Sequence, residues 1–330
     1  MAWWHIRQKA RHWLRVRNTV ARACLAEFLG VFVLLFRGAV REDCSGDGGD
    51  CYMEENLQTE LITVAATAQG VTSQNTKGNF FCMYLAGAIA VVLAIYVSGG
   101  VSGGHLNPAY TLSLCALGRF PWRKLPLYFL IQLAGSFTGA AAVFALYYDA
   151  IQDYTKGNLT VYGPRETASI FSSYPAPYLS LRNGFLDQVM GAAMLMVGIL
   201  AIVDAQNKPV PKGLEPVVVG MLVFSIGLSM GSNCGYPINP TRDLGPRLFT
   251  YVAGWGSEVF RAGNCWWWIP VVAPCVGALL GSFLYQIFVE IHHPEAGSNE
   301  EARRVEDAPE NKKEISVFTI NSDSSLSHRL

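Results

Sequence analysis

Two short stretches decide the fold of this chain: GGHLNPA at residues 103–109 and CGYPINPTRD at residues 234–243. In each, a loop ends in Asn-Pro and a short segment follows, at residues 107–117 and 239–249. A proline at the first position of a helix loses no hydrogen bond, and the asparagine before it can cap that helix. A helix of this length reaches about half-way across the ~30 Å hydrocarbon layer of a membrane. The two stretches therefore predict two half-helices inside a membrane protein.

The rest of the chain supplies the spans that such half-helices need. Hydrophobic residues make up 51% of the 330 residues, charged residues make up 15%, and the formal net charge is zero, which argues against a nucleic-acid-binding protein. Six long segments are apolar enough to cross a bilayer, namely residues 20–36, 80–98, 125–147, 184–203, 214–233 and 266–289. We therefore expect an all-α membrane protein with six transmembrane helices and two re-entrant half-helices.

The sequence is written twice. The segment Ala26–Gly30 and the later motif Asn107-Pro108-Ala109 reappear as Asp187–Gly191 and Asn239-Pro240-Thr241. Each copy crosses the membrane an odd number of times, so the second is inverted relative to the first, as in many membrane transport proteins. The half-helices then enter from opposite sides and meet at the midplane, with Asn107 facing Asn239. Their positive dipole ends would repel protons and cations there.

Charge and aromatic patterns predict the orientation and the domain limits. Residues 1–19 are basic, which favours a cytoplasmic N-terminus, and we expect 20–294 to form the membrane-spanning domain. The sequon at Asn158 then falls outside the cell, where it can carry a glycan. The polar residues 295–330 predict a disordered cytoplasmic tail. All eight tryptophans lie at span ends or in loops, as expected of an interfacial belt.

Two Asn-Pro motifs on half-helices, six spans and an inverted repeat resemble the aquaporins. The run from Asn239 to Arg247, with Arg242 and Asp243 after the motif, is similar to that of the glycerol-conducting branch, the aquaglyceroporins. The resemblance implies passive conduction of water, glycerol and other small neutral solutes, with exclusion of protons and ions. It also implies a homotetramer in the lipid bilayer of the plasma membrane, with no cofactor and no metal.

The resemblance also implies a set of pore residues. The selectivity filter would be built from Gly87, Gly227, Tyr236 and Arg242. Two glycines in place of bulkier groups widen the constriction, while the tyrosine ring offers an apolar wall and the arginine offers a planar fork of donors. Such a slot suits a polyol. Backbone carbonyls would line the path at Gly103, Gly104, His105, Cys234 and Gly235.

Polar residues near these loops predict supporting roles. Glu27 in the first copy and Gln188 in the second are expected to hydrogen-bond the loop before a half-helix, with Asp243 as a further support. His105 has two interpretations, an anchor for its loop or a pH sensor, because imidazole titrates near neutral pH. The second motif ends in Thr241 where the family usually has alanine, and the added hydroxyl and methyl leave the width of the pore waist open there.

The two copies differ most in the first span. Glu27 lies 80 residues before Asn107, whereas Gln188 lies 51 residues before Asn239. The excess falls in an acidic, glycine-rich stretch that we expect to be an extracellular insert at about residues 41–66. Cys44 and Cys51 could pair within it. An alternative is that the insert is a splicing or gene-model product that weakens span one.

Three function classes remain to be compared. A channel needs no chemistry, whereas a secondary transporter would need coupling acids within its spans, for which Glu27 and Asp187 are the candidates. A membrane adhesion protein with an impaired pore is the other alternative, favoured slightly by the insert and Thr241. We expect no enzyme, because the sequence shows neither a metal-ligand cluster nor a nucleophile beside a base.

Overall fold

The computed structural model describes Val16 and residues 18–33 and 63–294, and these ranges contain helices and no strand. The helices are α1 Thr19–Val33, α2 Thr63–Thr72, α3 Phe80–Ser102, α4 Pro108–Ala116, α5 Leu125–Leu146, α6 Tyr148–Thr155, α7 Leu181–Val203, α8 Glu215–Cys234, α9 Pro240–Thr250, α10 Glu258–Cys265 and α11 Ile269–Phe288. The described residues belong to two units, which divide after Tyr285. The candidate site lies in the first unit.

Five helical stretches are long and apolar enough to span a membrane. They are Phe80–Ser102, Trp122–Leu146, Leu181–Val203, Glu215–Cys234 and Glu258–His292, and they coincide with five of the six predicted spans. The remaining predicted span, 20–36, contains α1, which is described as far as Val33. The predicted all-α architecture, with two short helices after the Asn-Pro motifs, is confirmed.

A second helix, α2, also belongs to the bundle. α2 packs against α3, and its residues Val64, Ala65 and Ala68 are almost completely buried. We expected residues 63–66 to belong to the insert, and this boundary is wrong because Thr63 already begins a helix inside the bundle. Residues 34–62, with Cys44 and Cys51, lie outside the described residues.

The two half-helices begin as their sequences predict. Asn107 has an extended backbone, its Oδ1 accepts from the amide of Ala109, and Pro108 takes the first helical position. Asn239 does the same for α9, where Oδ1 accepts from the amides of Thr241 and Arg242. Each asparagine therefore satisfies amide groups that would otherwise lack a partner at the start of a helix.

Small residues allow the long helices to approach closely in both copies. A Cβ atom on Gly135 of α5 would lie 2.9 Å from the carbonyl oxygen of Phe28 in α1. In the second copy, Cβ atoms on Gly277 and Gly281 of α11 would overlap the carbonyl oxygens of Val189 and Ala193 in α7. Any larger residue at these three positions would push the helices apart.

The outside of the bundle is apolar, but two of the tryptophans are buried rather than exposed on this surface. Large hydrophobic side chains such as Leu130, Met190 and Phe283 are more than half exposed, as expected of a surface that faces lipid. Trp255 and Trp266, expected in an interfacial belt, are instead buried. Trp266 donates to Ser173 Oγ and Trp255 donates to Thr167 Oγ1, so both belong to the core next to the loop that contains Thr167 and Ser173.

Candidate pore and selectivity filter

Two cavities run into the bundle from opposite directions. One, of about 230 Å³, is lined by residues from Val203 and Glu215 through both Asn-Pro motifs; the other, of about 680 Å³, is lined by loop residues such as Glu166 and Ser169. Among the described residues, the two cavities share three lining residues, which are Thr63, Tyr236 and Arg242. These three mark a constriction between a narrow inner passage and a wider vestibule.

The two asparagines meet inside the inner passage, and both line it. Asn107 Nδ2 donates to the carbonyl oxygen of Ile238 at 3.1 Å, and Asn239 Nδ2 donates to the carbonyl oxygen of Leu106 at 2.9 Å. Each side chain thus caps its own helix through Oδ1 and bonds the opposite loop through Nδ2. This exchange brings the N-terminal ends of α4 and α9 together, as the repeat predicts.

Tyr236 occupies the space that two glycines leave open. A Cβ atom on Gly227 would lie 2.7 Å from Tyr236 Cζ, so any side chain there would displace the ring. A Cβ atom on Gly87 would lie 3.4 Å from both Tyr236 Oη and Thr63 Oγ1. The ring also packs edge to face on Tyr84, with centroids 5.0 Å apart. The constriction therefore has one aromatic wall, held from behind by a second aromatic residue.

Arg242 supplies the polar wall of the constriction. Its Nη1 is buried and has no hydrogen-bond partner in the part of the chain that the structure describes. A buried guanidinium N–H without a partner is costly unless something that passes through the cavity accepts from it. Tyr236 and Arg242 thus form an apolar and a donating wall on the two sides of one passage.

A carboxylate holds the loop before the first half-helix. Glu27 is fully buried, and its Oε1 accepts from the amide of His105 and the hydroxyl of Ser102. Its Oε2 accepts from the amide of Leu106 and from Gln132 Nε2. Leu106 has a φ of 56°, a strained value for a side-chain-bearing residue, and these bonds over-determine it.

An amide holds the loop before the second half-helix. Gln188 is fully buried, and its Oε1 accepts from the amide of Ile238 at 3.0 Å. Its Nε2 donates to Asp187 Oδ1 at 2.8 Å and to Cys234 Sγ at 3.0 Å. Gly235 and Cys234 line the vestibule, while Gly103, Gly104 and His105 line the inner passage.

The second half-helix carries a buried ion pair that the first lacks. Asp243 and Arg247 are both fully buried, with Nη2 2.9 Å from Oδ1. Asp243 Oδ2 accepts from the amide and hydroxyl of Ser173, and Arg247 donates to the carbonyl oxygens of Ser173 and Val259. Tyr174 lies on the guanidinium face at 4.7 Å. The pair therefore joins α9 to α10 and to the loop that contains Ser173.

Thr241 lies away from both described cavities. It is fully buried, and its hydroxyl donates to Asn239 Oδ1 at 3.2 Å. It does not line either described cavity. The Thr241 hydroxyl is therefore engaged within its own motif.

His105 is packed on three sides by rings. Tyr110, Phe120 and Tyr128 lie within 4.6–5.3 Å of its ring centroid, and Nδ1 is 3.1 Å from Thr111 Oγ1. Contacts of this kind fix a side chain in one position. His105 is also one of the residues that line the inner passage.

Two residues at the constriction, Thr63 and Tyr84, escaped the sequence analysis, and Asp187 was considered only as a coupling acid of a transporter. Thr63 and Tyr84 touch the filter, and Asp187 supports it. Tyr84 could have been found from helical spacing, because it lies one turn before Gly87 on α3. For Thr63 no local signal existed, since the preceding insert separates it from the first span.

The vestibule contains a carboxyl group with a perturbed pKa. Burial raises the pKa of Glu166 above its usual range, while hydrogen bonds from the hydroxyl and amide of Ser169 act in the opposite direction. Nearby, Asn158 is exposed, with the rest of its sequon partly exposed. No group of His, Cys, Asp and Glu suited to a metal ion occurs within residues 18–33 and 63–294.

Comparison with known proteins gives consistent matches. The Major intrinsic protein family model matches residues 14–285. Human Aquaporin-10 is 61% identical over 282 residues, covering 86% of this chain and 85% of the relative, and human Aquaporin-9 is 44% identical over 305 residues, covering 92% and 95%. Among solved structures, the aquaglyceroporin from Plasmodium falciparum matches with a TM-score of 0.68 and 29% identity, over 82% of this chain and 97% of that one.

Proposed function

The chain belongs to the major intrinsic protein family and is a channel of the aquaglyceroporin branch, and on this premise we propose how its residues select water, glycerol and other small neutral solutes. Tyr236 and Arg242 form the two walls of the filter, and Gly87 and Gly227 give it width. A polyol would slide its carbon chain along the tyrosine ring while its hydroxyl groups accept from the guanidinium. The observation that carries this assignment is that Tyr236 and Arg242, together with Thr63, line both cavities at the constriction.

Beyond the filter, the two asparagines would orient each solute at the midplane. Asn107 and Asn239 sit at the N-terminal ends of two helices that point at each other, and the positive ends of their dipoles oppose protons and cations. Carbonyl groups of Gly103, Gly104 and His105 continue the path on the inner side. The solute would therefore exchange hydrogen bonds along the whole passage without any chemical step, as a channel rather than an enzyme.

The assembly and placement of the channel belong to the same proposal. The exposed apolar side chains on the bundle suit a homotetramer in a lipid bilayer, with one pore in each subunit. The basic residues near the start favour cytoplasmic termini in the plasma membrane, and Asn158 would then be glycosylated outside the cell. A shift on endoglycosidase treatment that is absent in Asn158→Gln would support this orientation.

Glycerol uptake into proteoliposomes tests the function directly. A channel gives initial rates that rise nearly linearly with the glycerol gradient, and it excludes protons over the same range. Saturating rates would instead indicate a secondary transporter, and no flux above that of empty liposomes would indicate a pore-impaired adhesion protein. Either of those results would overturn the proposal.

A further inference from the structure

One acidic side chain beside the filter has no place in the pore as described. Asp187 lies on α7, partly buried, and its two oxygens face different elements. Oδ1 accepts from Gln188 Nε2 at 2.8 Å, and Oδ2 accepts from Asn233 Nδ2 at 2.7 Å. The thiol of Cys234 lies 3.5 Å from Oδ1. The carboxylate therefore bridges α7 to the end of α8, where the filter loop begins.

We propose that Asp187 is a positioning residue of the selectivity filter, because it fixes the orientation of the Gln188 amide and tethers the loop that carries Tyr236. The inference rests on the proposed function. Asp187 does not touch the solute. It acts through Gln188, whose Oε1 accepts from the amide of Ile238, and through Asn233, whose carbonyl oxygen accepts from the amide of Ala176 in the preceding loop.

A buried amide needs such a partner because its two ends differ. Gln188 must present Oε1 to the amide of Ile238, and a flip of the side chain would place two donors opposite each other. The Asp187 carboxylate accepts only, so it holds Nε2 on its own side and leaves Oε1 for the loop. The carboxylate of Glu27 needs no such help, because both of its oxygens accept.

The filter loop requires this support more than an ordinary loop does. Tyr236 has a φ of 42° and Ile238 a φ of 26°, values that side-chain-bearing residues rarely adopt. Such conformations persist only where surrounding contacts over-determine them. The hydrogen bond from the amide of Ile238 to Gln188 is one of those contacts, and Ile238 lies two residues after Tyr236. A change at Asp187 that disturbs this bond therefore alters the position of the Tyr236 ring.

The two copies of the repeat thus place a carboxylate differently. The first copy has Ala26-Glu27, with the acid itself on the loop amides. The second has Asp187-Gln188, in which the acid stands one position earlier and acts through the amide. If the acid is placed at position 188, the side chain at position 187 should no longer affect permeability, and this gives a rescue experiment.

The test compares Asp187→Asn with the wild type in proteoliposomes, with glycerol and water permeabilities measured on the same preparation. An asparagine has one acceptor oxygen, so it must turn its amino group toward either Gln188 or Asn233. We expect the glycerol-to-water permeability ratio to fall about tenfold. Asp204→Asn is the matched control, because Asp204 ends the same helix but accepts from Tyr285 and Gln206, and its ratio should equal that of the wild type.

The double variant Asp187→Asn/Gln188→Glu should restore the wild-type ratio, a result that a merely structural role would not give. An unchanged ratio in Asp187→Asn overturns the inference, and so does a reduced ratio that the double variant fails to restore. If Asp187→Asn does not fold, the double variant must still fold and keep the wild-type ratio, or the inference is wrong. Absence of glycerol flux in the wild type would count against the proposed function itself.

Discussion

The two loops before the half-helices perform the same task with different chemistry. The loop at 103–106 is held by the buried carboxylate of Glu27, which accepts four hydrogen bonds. The loop at 235–238 is held by the neutral amide of Gln188, which accepts one from the loop. The first loop lines a passage, whereas the second carries the filter residue Tyr236. The loop of the passage is thus held by two hydrogen bonds to its anchor, and the loop of the proposed filter is held by one.

The half-helices that follow these loops differ in their charged residues. α4 contains no charged residue. α9 contains the buried pair Asp243 and Arg247, and the carboxylate of Asp243 accepts hydrogen bonds from Ser173 and Arg247. The pair ties α9 to Ser173 and Val259. In the second copy, the half-helix is therefore stabilised by hydrogen bonds to Ser173 and Val259, which lie outside the loop at 235–238. The inverted repeat has the same shape in both copies but not the same distribution of stabilising bonds.

The largest expected effect comes from Glu27→Ala. The change leaves two loop amides and Nε2 of Gln132 without their acceptor, while the hydroxyl of Ser102 keeps the carbonyl oxygen of Ser98, and each buried donor costs about 1–3 kcal/mol when unsatisfied. We expect a loss of about 5 kcal/mol in the free energy of unfolding and no measurable conduction. Gln188→Ala should cost clearly less. Equal shifts of the unfolding midpoint in detergent would contradict the contrast between the loops.

Arg247→Met comes next, because it leaves Asp243 charged and buried without its ion-pair partner. Breaking a buried pair on one side costs about 3–5 kcal/mol. The double variant Asp243→Leu/Arg247→Met should recover part of this loss, since no unpaired charge remains. Both can be measured as shifts in the thermal unfolding midpoint. A double variant that is less stable than Arg247→Met would show that the pair stabilises the protein mainly by joining α9 to α10 and to the loop that contains Ser173.

These contrasts also explain which features the sequence could predict. The half-helices, the exchange between Asn107 and Asn239 and the acid at Glu27 follow from caps and from the repeat, which are local signals. The contact of Tyr84 with Tyr236 depends on how α3 packs against α8, and no local pattern reports that. Pairing of long-range partners is set by the tertiary fold rather than by neighbouring residues.

Burial was the other quantity that the sequence could not supply. Trp255 and Trp266 occupy loop positions typical of a membrane interface, yet both are buried and donate hydrogen bonds to Thr167 and Ser173. Arg247 was expected only as part of a motif, and its charge became interpretable once Asp243 and Ser173 were found around it. The side of a helix on which a residue lies can be predicted, but what covers that side cannot.

A smaller effect is expected at the filter itself, from Gly227→His. The new side chain would occupy the place of the Tyr236 ring and narrow the slot, because even a Cβ atom there lies 2.7 Å from Tyr236 Cζ. We expect glycerol permeability to fall about tenfold, which corresponds to about 1.4 kcal/mol in the barrier, with water affected less. Ser229→His, on an exposed face of the same helix, is the matched control. Equal losses of glycerol and water would contradict the assignment of this wall.

Thr241→Ala should have the smallest effect, and it compares the two motifs directly, since Ala109 takes the same place in the first. Asn107 Oδ1 accepts from one backbone amide at 2.9 Å, whereas Asn239 Oδ1 is shared by two amides and the Thr241 hydroxyl at 3.2–3.3 Å. Removing the hydroxyl leaves both amides on Asn239. We expect water and glycerol permeabilities to stay within about twofold of the wild type, because the lost hydrogen bond is long and shared. A rise in glycerol permeability well beyond this, measured beside wild-type proteoliposomes of equal protein content, would mean that Thr241 does narrow the passage and that its buried position is not kept during conduction.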